Sequence, residues 1–203
     1  MATIGGTVAA VVLAAGRGER LGAPVAKPLV EFRGRPMLAH VLDAAVASGL
    51  GPVVLVVGNA GDAVAEQAAA MAPGVEVVVN PQWQEGIASS LRRALAHLGN
   101  RGIVHACVVG LADQPLIGAE AWQRVAAAYD SGATLAVATY GGVRANPVLI
   151  GRDLWPDALG LHGDRGARQL FEHHAVVDID CSDTGTAADI DTPDDLAALD
   201  RQS

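Results

Sequence analysis

From Val8 to Leu13 the chain is an unbroken apolar run, β-branched in part, and it gives way to a loop of glycines and arginines before reaching Lys27. A short apolar stretch ended by glycine suits a strand buried on both faces, as in a parallel sheet covered by helices. Gly16, Gly18 and Gly22 let the following loop turn through positive φ and bring backbone N–H groups close to an anion. Arg17, Arg20 and Lys27 add positive charge, the arginines with forks suited to phosphate. The stretch therefore reads as a phosphate cradle at a strand end. Two familiar motifs are excluded by spacing: the glycines follow G-x-G-x-x-x-G, not the dinucleotide G-x-G-x-x-G, and Gly22 precedes Ala23, not the Lys of a P-loop. Spacing alone leaves open a glycine-rich strand-to-helix connection with solvated arginines.

The rest of the chain extends the same pattern. Pro36 to Ser48 carries an apolar stripe at helical spacing, Pro52 to Val57 is a second buried strand, Ala60 to Met71 an alanine-rich helix, and Val75 to Val79 a third strand. This βαβαβ alternation predicts a three-layer, doubly wound, mostly parallel sheet in a Rossmann-like arrangement, a single domain over residues 1–203. Ligands in such sheets bind at the strands' carboxyl ends, so the loops at Gly16, Gly58 and Asn80 should share one edge. Asn80 to Leu91 is expected to start as a loop and become a helix to about Leu98; Gly86, Ser89 and Ser90 would offer small polar groups to a ligand, although a turn and a first helical turn account for the same residues. Ile103 to Leu111 predicts a strand ending at Asp113, where a carboxylate is expensive to desolvate unless a cation meets it. Asp113 is accordingly a metal-ligand candidate.

Gly118 to Tyr129 reads as a helix, and Ala133 to Tyr140 as a strand turning at Gly141-Gly142 into Asn146 to Ile150, a small antiparallel excursion. A loop at His162 to Gly166 should lead into a short helix through Phe171 that carries His173 and His174, and Val176 to Asp180 is the last strand. Thr192, Pro193 and Asp195 spell a helix start with a capping box, which explains Asp194 and Asp195 but not Asp189 or Asp191.

Net charge is −8, which argues against a general nucleic-acid or membrane-surface binder. Cys107 and Cys181 stand far apart with no C-x-x-C pair, so reduced thiols and a cytoplasmic location are expected. MATIGGT lacks the basic and long apolar regions of a signal peptide, and no uncharged apolar stretch reaches about 18 residues, so no membrane span is predicted.

Six motifs in order, LAAGRGERLG with Lys27-Pro28-Leu29, NPQWQEGIASSL, LADQPL, NPVLI, GDRGARQL and DIDTPDDL, resemble the MobA/MocA-like nucleotidyltransferases, most closely the branch that cytidylates molybdopterin. The resemblance implies attack by an acceptor phosphate on the α-phosphorus of a nucleoside triphosphate, CTP in preference to GTP, with release of pyrophosphate. Leu13, Ala14, Ala15, Gly16, Arg17, Gly18, Lys27, Asn80, Gly86, Ser89 and Ser90 would bind the nucleotide. Arg17 and Lys27 would act on the triphosphate, Asp113 and Asp191 would hold Mg2+, and Asn146, His162 and Asp164 would meet the acceptor. The implied partners are a nucleoside triphosphate, a small phosphorylated acceptor of molybdopterin type, and a molybdoenzyme or its chaperone. Where that branch usually reads Gly-His-Pro, this chain has Ala145-Asn146-Pro147, and asparagine cannot carry a proton at neutral pH. Other acceptors, such as sugar phosphates, fit the same nucleotide half. Relatives described as nicotine-blue oxidoreductases add a redox reading that uses NAD(P)H.

Overall fold

Side-chain alternation along the central strands dictates the layers. In β1 (Thr7–Ala14), Ala10, Val12 and Ala14 face one side and Ala9, Val11 and Leu13 the other, all buried. β4 (Val53–Val57) and β6 (Val104–Leu111) divide their residues the same way. A strand apolar on both faces needs a cover on each, and both covers are present. On one side α1 (Met37–Ala47), α2 (Gly61–Met71) and α4 (Ala119–Asp130) pack through Leu38, Leu42, Val64, Ala68, Trp122 and Val125. On the other, α3 (Ile87–Gly99), α5 (Trp155–Leu159) and a 3-10 run over Gly163–Glu172 pack through Leu91, Leu95, Leu98, Trp155 and Leu170. Each such aliphatic side chain contributes about 1.5–3 kcal/mol on burial. The computed structural model describes residues 7–16, 21–23 and 25–201.

The seven-stranded sheet has the order β5-β4-β1-β6-β8-β7-β9, with β5 at Glu76–Val79, β7 at Leu135–Tyr140, β8 at Val143–Gly151 and β9 at Val177–Asp180. β8 alone runs against its neighbours; every other pairing is parallel. The expected mostly parallel α/β architecture with a small antiparallel excursion is thus present. Strands after β1 move outward to β4 and β5, and those from β6 onward move the other way, so the switch point falls between β1 and β6. Leu13 is in register with Leu111 there, which sets the loop after β1 beside the loop that carries Asp113. Gly141 (φ 58) and Gly142 (φ 81) make the turn from β7 into β8, a left-handed pair that side chains would resist.

A third, smaller core lies outside the layers. Leu21, Val30, Phe32, Met37, Ile190 and Leu199 bury one another, joining the two-stranded hairpin of β2 (Glu31–Phe32) and β3 (Arg35–Pro36) to α6 (Pro193–Asp200). This core ties the segment after Lys27 to the segment holding Asp191.

Four local features differ from the sequence reading. The hairpin at residues 31–36 and helix α5 carry no expectation from periodicity, being too short to show one. The helix expected after Gly166 is a 3-10 run kinked at that glycine (φ 50, ψ −137), where the backbone leaves the helical region. His173 and His174 lie beyond its end rather than on it, and His174 Nε2 is 3.0 Å from an Asp157 carboxylate oxygen. Between Asn80 and α3 a 3-10 turn over Trp83–Glu85 is interposed. Among the described residues no helix is long and apolar enough to cross a membrane.

Candidate nucleotide site

At the switch point, two carboxylates meet one ammonium, with a third carboxylate close enough to feel them. Lys27 rides on a 3-10 turn, Lys27–Leu29, whose Pro28 is buried. Its Nζ donates to Asp113 Oδ2 and to Asp191 Oδ1, each at 2.6 Å. Burial by itself would lower the Lys27 pKa, but the Asp113 and Asp191 carboxylates override it and the net shift is upward. Asp189 completes the group. Burial and the repulsion of Asp113 raise its pKa, against a hydrogen bond from Gln114 and the pull of Lys27.

The scaffold explains why residues so far apart in sequence converge. Asp113 follows the end of β6, and its carbonyl accepts from Ile190 N at 2.9 Å. Thr186 N and Leu116 O, and Gly118 N and Thr184 O, continue the stitching between the two loops. Thr192 and Asp195 form the expected capping box at the start of α6, and Asp195 Oδ2 also takes the Asp191 N–H at 3.1 Å. The cap therefore orients Asp191 as well as starting the helix.

A cavity of about 310 Å³ opens beside Asp113. Leu13, Ala15 and Gly16 supply one wall from the end of β1, and Trp83, Gln84, Gly86, Ile87 and Ser90 another from the connection into α3. Leu111 forms its floor with Asp113, and Asp164 closes it from the 3-10 run. Trp83 is set against Ala15 by Gly58: a Cβ on that glycine would fall 2.5 Å from Trp83 Cβ and 2.8 Å from Ala15 Cβ. Gly86 (φ 98, ψ 178) is needed for a different close approach, because a Cβ there would overlap the Asp164 carboxylate and the Gly163 carbonyl.

The expected residues thus divide. Leu13, Ala15, Gly16, Gly86 and Ser90 line the cavity, joined by Asp113 and by Asp164, which the sequence reading had assigned to the acceptor. Ala14 points into the opposite core. Asn80 and Ser89 stand behind the wall and hold it: Asn80 Nδ2 donates to Ser89 Oγ at 2.8 Å and Ser90 Oγ at 3.0 Å, and Asn80 Oδ1 accepts from Gln82 N. His162 is exposed, and its carbonyl accepts from Gln169 Nε2 at 2.8 Å. Arg17 and Gly18 lie outside the described residues.

Gln114 is the residue that the motif reading passed over. Its side chain is buried, Nε2 donating to Asp189 Oδ1 at 2.9 Å and Ala187 O at 3.1 Å, while Oε1 accepts from Asn146 Nδ2 at 3.0 Å. A polar side chain directly after a strand-end aspartate was the available signal. Since β8 is antiparallel, Asn146 lies near its beginning and so reaches the same edge as Asp113.

Two observations bear on a metal. Asp113 and Asp191 already converge on one cation, and Asp113 Oδ1 is buried without a hydrogen-bond partner among the described residues. No cluster of three or more His, Cys, Asp or Glu side chains suited to a metal occurs among the described residues. That donor count fits magnesium, which takes one or two carboxylates and completes its shell with phosphate and water.

Residues 10–178 match the family model of the MobA-like NTP transferase domain. The chain belongs to the MobA-like NTP transferase family. Among relatives of this MobA-like chain, the nicotine blue oxidoreductase of Paenarthrobacter nicotinovorans is 33% identical over 204 residues, covering 95% of this chain and 96% of that protein. The crystal structure of Rv0371c from Mycobacterium tuberculosis H37Rv aligns with a TM-score of 0.84 and 31% identity over 100% of both chains. Rv0371c in complex with manganese aligns with a TM-score of 0.79 and 29% identity, over 97% of this chain and 100% of that one.

Proposed function

We propose that the 203 residues form one divalent-metal-dependent nucleotidyltransferase domain that moves a nucleotide, CMP from CTP by first choice, onto the phosphate of a molybdopterin-type acceptor and releases pyrophosphate. The observation that carries this reading is the convergence of Asp113 and Asp191 on a single cation position beside the cavity at the β1–β6 switch point. Asp113 and Asp191 would hold Mg2+, which when bound neutralises charge on the phosphates. The loop after β1 would hold the triphosphate through Gly16 and Arg17, with Lys27 adding its charge. Walls from Gly86 and Ser90 would hold the nucleoside, and Asn146 would face the acceptor. Catalysis here is positioning and charge neutralisation, which needs no side-chain nucleophile. The manganese complex of a relative about 29% identical supports a divalent ion. A molybdoenzyme or its chaperone is the protein partner that this reading adds.

The near full-length likeness to a protein named nicotine blue oxidoreductase favours a second reading, an NAD(P)H-dependent reductase. A thermal-shift panel of CTP, GTP, ATP, UTP and NAD(P)H, with and without Mg2+, separates the two. A ligand at a hundred times its Kd stabilises by about 2.7 kcal/mol, a rise of roughly 5–10 °C in a chain of this size. CTP with Mg2+ should give that rise, and Asp113→Asn should keep its fold while losing most pyrophosphate release. Stabilisation by NAD(P)H alone would favour the reductase, and near-normal pyrophosphate release by Asp113→Asn would refute the metal role of Asp113.

A further inference from the structure

The 203 residues contain a single lysine, Lys27; the remaining members of the fourteen Lys+Arg residues are arginines. That one lysine stands between the two carboxylates assigned to the metal, its side chain 11% exposed against 26% for Asp113 and 29% for Asp191. The lysine side chain is thus less exposed than either aspartate's, and its Nζ touches an oxygen of each. An ion placed on those same two oxygens would lie within contact distance of the ammonium, where two cations repel strongly. Residue type matters here. An ammonium is a compact point charge on a flexible stem, able to swing from one set of oxygens to another, whereas a guanidinium is a planar fork that is harder to relocate.

We propose that Lys27 is a resident counter-cation that occupies the Asp113–Asp191 pair until the phosphates of an incoming nucleotide draw it away, so that metal and nucleoside triphosphate bind as a coupled pair. The inference rests on the nucleotidyltransferase reading and extends it to the order of binding. The backbone is built for such an exchange: Pro28 is buried in the turn that carries Lys27, and Val30 and Phe32 are fixed in the small core with Ile190 and Leu199. The side chain can move while its anchor stays. Without the ammonium the carboxylates would repel one another across the loops that Ile190 N and Asp113 O join. Coupling of this kind is reciprocal, so whatever factor the nucleotide adds to metal affinity, the metal adds to nucleotide affinity.

A lone lysine makes the test direct. Chain grown with lysine labelled at Cε by carbon-13 gives one side-chain NMR signal, and Mn2+ affinity can be read by electron paramagnetic resonance in wild type and in Lys27→Met, both without nucleotide. The Met variant is expected to bind Mn2+ at least about tenfold more tightly than wild type, or about 1.4 kcal/mol. The lysine signal should move when Mg2+ and an α,β-methylene analogue of CTP are added together. Equal or weaker Mn2+ binding by Lys27→Met, or a lysine signal fixed through saturation with the Mg2+–analogue pair, overturns the proposal and leaves the nucleotidyltransferase reading in place. Absence of Mn2+ binding by both folded chains, even with the analogue, removes the metal pair itself and both readings with it. If Lys27→Met does not fold, the wild-type NMR titration decides alone.

Discussion

Gly86→Ala separates backbone strain from wall geometry at the candidate cavity. Gly86 has φ 98 and ψ 178, a region populated almost only by glycine, and forcing a side chain into it costs about 1–3 kcal/mol. The added Cβ would also lie 2.6 Å from the Gly163 carbonyl carbon and 2.7 Å from its oxygen, besides meeting the Asp164 carboxylate. The carboxylate can swing aside, but the backbone cannot, and overpacking of this kind costs a further ~1–3 kcal/mol. Together they centre on about 4 kcal/mol, which lowers the melting temperature of a chain of this size by roughly 8–16 °C. Gly163→Ala is the control: φ is 73, yet its Cβ would meet nothing within 4 Å, so only the left-handed penalty of about 1–2 kcal/mol remains. Calorimetry on both variants reads the difference. In Gly86→Ala the 3-10 run must also shift away from α3, widening the cavity and raising nucleotide KM, whereas Gly163→Ala should leave KM near wild type. A Gly86→Ala chain that melts within about 2 °C of wild type, or no lower than Gly163→Ala, would refute the close-packing argument.

Gln114→Met keeps length and removes the amide, leaving the Asp189 carboxylate and the Asn146 amide without their shared partner. Urea unfolding should show a loss of about 1–3 kcal/mol, and an unchanged midpoint would mean that water replaces the amide. Burial pushes the Cys107 thiol up to about 12 from its ordinary 9.0, so the unfolded chain releases a proton that the folded chain keeps. Cys107 therefore favours folding fully below pH 9, and its contribution falls as pH rises from 9 towards about 12, by at most about 1.4 kcal/mol per pH unit. Denaturant melts at pH 7, 9 and 10.5 should show a shallower decline in Cys107→Ala, and identical slopes would exclude the thiol as a cause.

The sheet was legible because its strands are buried on both faces. Val53–Val57 has no polar residue to obscure it and Val104–Leu111 only His105, and Gly141-Gly142 marks the reversal that makes β8 antiparallel. The capping box of Thr192 and Asp195 could be read because all its partners lie within four residues. The hairpin at Glu31–Pro36 could not, since two-residue strands have no periodicity, and its turn uses Arg33 at φ 49 beside Gly34 at φ 74. Motif spacing nominated Lys27, Asp113 and Asp191 separately. Their meeting depends on contacts spanning 86 and 164 residues, which local pattern cannot encode. Asp164 illustrates the same limit: its place in a Gly-Asp-Arg-Gly loop says nothing of the approach to Gly86 that sets it in the cavity wall. Gln114 went unassigned because its importance lies in the direction of an amide, donor towards Asp189 and acceptor towards Asn146.

The reversal of β8 divides labour across the sheet. β1, β4 and β5 present only their carboxyl ends to the ligand edge, so every loop there leads into a helix or turn that the core already constrains. β8 presents its beginning, and the Gly141-Gly142 turn that precedes it connects two adjacent strands, with open space where a Cβ on either glycine would point. Residues can be added at that tip without moving Asp113 or the loop after β1. Under the proposed nucleotidyl transfer, descendants of this chain would have a place to exchange one acceptor for another while the nucleotide half stays as it is.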